Sequence, residues 1–136
     1  MVFIVAGCMA GCKKEKLAAT RLDNTNWHSA TETVYFPNGT VDIHAMYYDT
    51  WQFMSDRKIK WTNSYGIIAH VYTGEWQLIK DAKLIIDVHD ISSAFSKSYN
   101  IISLTDSVLK VSTEDVVIES GANGRSSKVE YEFRRF

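Results

Sequence analysis

Between Lys128 and Arg135 the chain reads KVEYEFRR, and its side chains change character at every step. Val129, Tyr131 and Phe133 fall on one side of an extended backbone. Glu130, Glu132 and Arg134 fall on the other. Successive side chains of a β-strand point to opposite faces, so this alternation describes a strand with one dry face and one wet face. The same period runs through TWQFMS, with Trp51 and Phe53 on one face, and through KIKWTN, with Ile59 and Trp61 opposed to Lys58 and Lys60. GEWQLIKD alternates Trp76 and Leu78 with Glu75 and Gln77, and KLIIDVHD aligns Leu84, Ile86 and Val88. SYNIISLTD and SVLKVST follow, the second with Leu109 and Val111 about Lys110. Apolar residues that recur every second position leave no helical face to bury. After the first 26 residues no amphipathic helix is evident.

Turn chemistry separates these runs. Pro37-Asn38-Gly39 presets a tight turn, because proline fixes φ and glycine accepts positive φ. Ser55-Asp56, Lys80-Asp81 and Thr105-Asp106-Ser107 interrupt the alternation at hairpin spacing, and SGANGRSSK (Ser120 to Lys128) reads as a long loop before the last strand. The segment DIHAMYYDT (Asp42 to Thr50) alternates poorly and reads either as a lid at a barrel mouth or as an irregular strand. About eight to ten short strands in succession predict an all-β antiparallel sandwich or barrel. The barrel is favoured, because neighbours in sequence then pair up and down and closure removes exposed edges.

A chain of 136 residues makes one domain. Fifteen Lys+Arg against 16 Asp+Glu leave a net charge of -1. That balance argues against a nucleic-acid partner, which calls for a dense positive field. The hydrophobic fraction of 46% suits a packed core rather than a disordered tail. No apolar run is long enough for a spanning helix.

Both cysteines, Cys8 and Cys12, lie in VAGCMAGCKKEK, where apolar residues give way abruptly to lysines. A disulfide here would close a very small ring and stabilise little. A metal site needs further ligands, and no histidine precedes His28. The third reading is a processed export signal, whose peptidase requires small residues beside the cut. Val5-Ala6-Gly7-Cys8 and Met9-Ala10-Gly11-Cys12 both resemble the lipobox of bacterial lipoproteins. Cys12 is favoured over Cys8, since a cut before it leaves the longer apolar segment upstream and Lys13-Lys14-Glu15-Lys16 directly downstream. That resemblance implies a signal over residues 1–11, an acylated Cys12 with a tether over 12–26, and a barrel domain over 27–136. It also implies an outer-membrane lipoprotein of the cell envelope, facing the periplasm or the surface. Several acyl chains anchor firmly where one does not.

Four segments of the barrel domain resemble a family, the lipocalin-like small lipoproteins of the Bacteroidetes type. Trp51-Gln52-Phe53, Asp56 and Trp61 match its W-x-F…D-G…W hairpin, with Arg57 where glycine is usual. Gly74-Glu75-Trp76-Gln77-Leu78 with Asp81 and Leu84 matches G-x-W-x-L…D…L. Tyr99-Asn100-Ile101 through Leu104-Thr105 and Leu109 matches Y-x-I-x-x-L-S/T…L, and Tyr131-Glu132-Phe133-Arg134 matches the closing Y-x-F-x-K/R. Trp27 stands where the family carries an early tryptophan. The resemblance covers Trp27 to Phe136. It implies an up-and-down barrel, usually of eight strands, with a cup for a small apolar ligand.

Nothing in the sequence marks an enzyme. No nucleophile elbow, phosphate loop or HExxH helix is present. His28, His44, His70 and His89 are scattered, and Asp87 with His89 on one strand face is at most half a site. No cofactor and no metal are expected. Trp51, Phe53, Trp61, Trp76, Tyr99, Tyr131 and Phe133 share the inward period. They either fill the barrel or line a cup, since an eight-stranded barrel is just wide enough for side chains or one small ligand. The expected function is therefore a monomeric, lipid-anchored barrel binding a small hydrophobic ligand such as a fatty acid, bilin or sterol. Trp51, Phe53, Trp61, Trp76, Tyr99 and Tyr131 are its expected binding residues. The alternative is a filled barrel that serves the envelope as a protein-interaction module.

Overall fold

The computed structural model describes residues 21–46, 48–64, 67–80, 82–90, 93–116 and 126–136. Cys8, Cys12, the expected signal and most of the expected tether lie outside the described residues. So do Tyr47, Asp81 and most of the loop expected from Ser120.

Among the described residues nine strands follow one another: β1 (Thr25–Tyr35), β2 (Val41–Ala45), β3 (Asp49–Phe53), β4 (Lys58–Asn63), β5 (His70–Ile79), β6 (Lys83–His89), β7 (Ala94–Leu104), β8 (Val108–Val116) and β9 (Ser126–Arg135). β3 to β9 each pair antiparallel with the next. β1 pairs with β3 at one edge and with β9 at the other, from Trp27↔Arg135 to Tyr35↔Lys128. The result is a closed eight-stranded antiparallel barrel with β2 as an extra strand. The barrel expected from the alternation is the one the chain adopts. The last strand takes Ser126 to Lys128 from the expected loop.

β1 serves two neighbours along a single edge. Thr25 to His28 pair with β3, and Thr31 to Tyr35 pair with β2. Between them the ladder breaks. The Met46 N–H bonds to the Ala30 carbonyl at 2.9 Å, and the Asp49 N–H donates to Ser29 Oγ at 3.0 Å. This break is why Asp42 to Thr50 alternate poorly: the segment is two short strands and a step. Register shifts at Ser29/Thr31 and Ile101/Ser103 add local twist of the kind that helps a sheet curl shut.

The two ends of the barrel differ. Short turns after β3, β5 and β7 gather at one end, with Asp56, Arg57 and Lys80 at positive φ. Leu22 is fully buried there, and Arg21 Nη1 donates to the Leu104 carbonyl at 2.7 Å, so the chain before β1 floors the barrel. Arg57, at φ 62, occupies a conformation where glycine is unstrained. Its guanidinium lies 4.3 Å from the Trp76 ring centroid. Such a contact is worth about 0.5–2 kcal/mol, of the same order as the roughly 1–3 kcal/mol of a left-handed residue.

The inward stripes meet as one core. Trp51 stacks on Phe133 with ring centroids 4.1 Å apart. It meets Tyr99 edge-on at 5.1 Å, Trp61 at 5.6 Å and Phe53 at 6.1 Å. Phe53 in turn meets Trp76 at 5.2 Å. On β5, Gly74 is buried opposite Val88, and a Cβ there would lie 1.9 Å from the Asp87 carbonyl oxygen. On the outer wall Lys58 and Glu75 pair at 2.8 Å, and that hydrogen bond holds the Glu75 carboxyl below its ordinary value.

Candidate functional site

At the end opposite the floor the core gives way to a cup of about 180 Å³. Four strands line it, each with two residues spaced i, i+2: Asp49 and Trp51 of β3, Trp61 and Asn63 of β4, Lys97 and Tyr99 of β7, Tyr131 and Phe133 of β9. Strand direction sorts these into two storeys. β3, β7 and β9 run toward the floor and β4 runs away from it. Asp49, Asn63, Lys97 and Tyr131 therefore form the upper ring, and Trp51, Trp61, Tyr99 and Phe133 the lower. Register locks the two halves of the β3–β4 wall, since Asp49 faces Asn63 and Trp51 faces Trp61. An all-aromatic floor under a mostly polar rim is an arrangement suited to a ring with a polar substituent.

Asp49 organises the rim. It is only 6% exposed, so its carboxylate needs internal donors. Oδ1 accepts from Trp61 Nε1 at 2.9 Å and from Asn63 Nδ2 at 2.8 Å. These two bonds fix the Trp61 indole against the cup and hold the Asn63 amide at its lip. Trp51 is buried, and its indole N–H has no acceptor among the described residues.

Of the residues expected to bind ligand, Trp51, Trp61, Tyr99 and Tyr131 line the cup. Phe53 and Trp76 do not. They are buried side by side nearer the floor, with Arg57 over the outer one. The sequence reading missed Asp49, Asn63 and Lys97. Their signal was present: Asp49 precedes Trp51 by two, Asn63 follows Trp61 by two, and Lys97 precedes Tyr99 by two. Each is a polar residue on a stripe whose other members point inward.

A second, more open hollow of about 450 Å³ lies beside the cup, where β2 steps away from the line of β3. Glu32, His44, Ala45, Met46, Tyr48 and Asn63 line it, so Asn63 borders both. His44 Nε2 and Glu32 Oε1 are 3.1 Å apart in it. Asp87 and His89 share the outer face of β6, where His89 is exposed. His28 stacks on Phe136 at 4.0 Å and His70 on Tyr72 at 6.4 Å. Among the described residues no group of three or more His, Cys, Asp or Glu converges on a metal position.

At about 180 Å³ the cup is below the roughly 300 Å³ where drug-sized pockets begin. It is close in size to an apolar protein cavity of about 150 Å³ that takes up benzene. Protein-family models give no match to this chain, and a search of curated proteins finds no relative. The fold and the chemistry of the cup therefore carry the functional reading.

Proposed function

We propose that this chain is a lipid-anchored envelope lipoprotein, similar to the lipocalin-like small lipoproteins, whose barrel binds a compact ring compound at its open end. The observation that carries the reading is the two-storey cup, with Trp51, Trp61, Tyr99 and Phe133 below and Asp49, Asn63 and Lys97 above. Large rings supply contact area at low conformational cost, and the polar rim sets orientation. The closed barrel holds both storeys rigid, so little ordering opposes binding.

Titration of the protein with benzyl alcohol, benzoate, benzylamine and palmitate tests the cup, with the indole N–H signals of Trp51 and Trp61 followed by NMR. At least one single-ring probe is expected to move both signals to saturation, while palmitate leaves them in place. Flat titrations with all three rings would reduce the aromatics to core filling and remove the ligand reading.

The anchor is tested separately, in a bacterial host that processes lipoproteins and is fed labelled palmitate. Label is expected on the unaltered chain and on Cys8→Ala, and none on Cys12→Ala. Label lost only with Cys8→Ala would move the acylation site. Label on none of the three would remove the anchor.

A further inference from the structure

Among the described residues β2 is the one strand outside the closed ring. Its inner edge pairs with β1, and its outer edge has no partner strand among the described residues. The phase of the β1–β2 ladder decides what that outer edge offers. Phe36 N–H bonds to the Thr40 carbonyl and Met46 N–H to the Ala30 carbonyl, each at 2.9 Å. Hydrogen-bonded pairs alternate along an antiparallel ladder, so Asp42 and His44 turn their backbone groups toward β1. Val41, Ile43 and Ala45 therefore turn N–H and C=O outward. Their side chains share the outer face with Tyr35, and Val41 is 48% and Ile43 70% exposed. Asp42 and His44 lie on the other face, opposite Val34 and Glu32.

The geometry points to a second copy of this chain as the occupant of that edge, with two β2 strands pairing antiparallel about a two-fold axis through Ile43. In this register Val41 faces the partner's Ala45 and Ile43 faces the partner's Ile43. Three pairs with two backbone bonds each give about six hydrogen bonds. Asp42 faces the partner's His44, and the reverse, in the non-hydrogen-bonded pairs where side chains approach most closely. No other register of the two strands does this. A slip of two residues one way sets Asp42 against Asp42, and the other way His44 against His44. A slip of one turns the outward N–H groups away from their acceptors. Charged residues on an edge strand commonly prevent self-pairing. Here their order, acid then imidazole about a central isoleucine, selects one self-pairing instead. A five-residue edge buries little area, so the dimer is weak and in rapid exchange with the monomer.

Sedimentation velocity on the full chain from about 10 µM to about 1 mM reads the association. Weight-average mass is expected to rise with concentration. Ile43→Pro removes an outward N–H while leaving the β1 ladder intact, and should weaken association at least tenfold with an unchanged circular dichroism spectrum. Asp42→His and His44→Asp, each made with Glu32→Gln so that no carboxylate of the same chain opposes residue 44, should each weaken it several-fold by facing like groups. The double variant, which restores an acid–imidazole pair, should recover most of the loss. Recovery on a chain whose single variants associate poorly cannot come from misfolding, so the swap stands even where the proline variant fails to fold. A chain that stays monomeric to 1 mM overturns the proposal. So does association indifferent to Ile43→Pro, a double variant without recovery, or an extended foreign peptide adding to β2 of a monomeric chain.

Discussion

Trp51→Ala is expected to remove about 4–5 kcal/mol of stability, the upper part of the range for truncating a buried large aromatic. The reason is its position. Its ring touches Phe53, Trp61, Tyr99 and Phe133, which come from β3, β4, β7 and β9. Each aromatic pair adds about 0.5–1.5 kcal/mol beyond the area it buries. Domains of this size are stable by only about 5–15 kcal/mol, so the variant should be marginally folded at room temperature. Trp51→Phe is the informative partner. It keeps an aromatic ring in the stack and deletes an indole N–H that has no acceptor among the described residues. Relief of that desolvated donor offsets part of the lost volume, and the net loss should stay under about 2 kcal/mol. Urea unfolding of both variants measures the difference. Equal losses for the two would mean that the stack around Trp51 does not hold the barrel together.

Gly74→Ala should cost about 3 kcal/mol or more, although it adds one methyl group. The new Cβ would sit 1.9 Å from the Asp87 carbonyl oxygen and 2.8 Å from Val88 Cα. Both are backbone atoms, so no rotamer change relieves the clash. β5 and β6 must move apart, at the expense of their ladder, and overpacking of this kind runs to about 1–3 kcal/mol or beyond. Gly39→Ala supplies the contrast. Gly39 has φ 91 with nothing within 4 Å of its Cβ position. Only backbone strain opposes that substitution, on the order of 1 kcal/mol. Thermal melts of the two variants should differ by several degrees, with Gly74→Ala the lower. Equal melts would show that the β5–β6 approach is not tight.

The strands with one dry face were legible because alternation needs only local information. Val129, Tyr131 and Phe133 announce their face without reference to any other strand. β2 was not, because both of its faces meet water and alternation there distinguishes no inside. The step at Met46 to Tyr48 hid it further by throwing Asp42 to Thr50 out of phase. Leu22 was illegible for a different reason. It sits in a mostly polar stretch without a strong apolar period, and its burial depends on a barrel floor assembled from distant turns. The rim of the cup lay between these cases. Asp49, Asn63 and Lys97 sit on inward stripes, yet from the sequence a polar residue at the end of a stripe looks the same whether it closes the strand or tops a cavity. Only the pairing of β3 with β4, and the closure that brings β7 and β9 across from them, distinguishes the two. Trp76 shows the converse. Its period was right, but its height along the axis, fixed by register, put it under the cup instead of in its wall.

The seam between β1 and β9 has a consequence for how the molecule comes into being. Every other strand of the ring joins a strand near it in the chain, so those pairings close only short loops. β1 alone keeps one side bare until Lys128 to Arg135 reach it from the far end of the strand order. Until that seam forms the sheet is an open ribbon with Trp27 and Trp51 uncovered, so closing it is expected to be the slow step of folding.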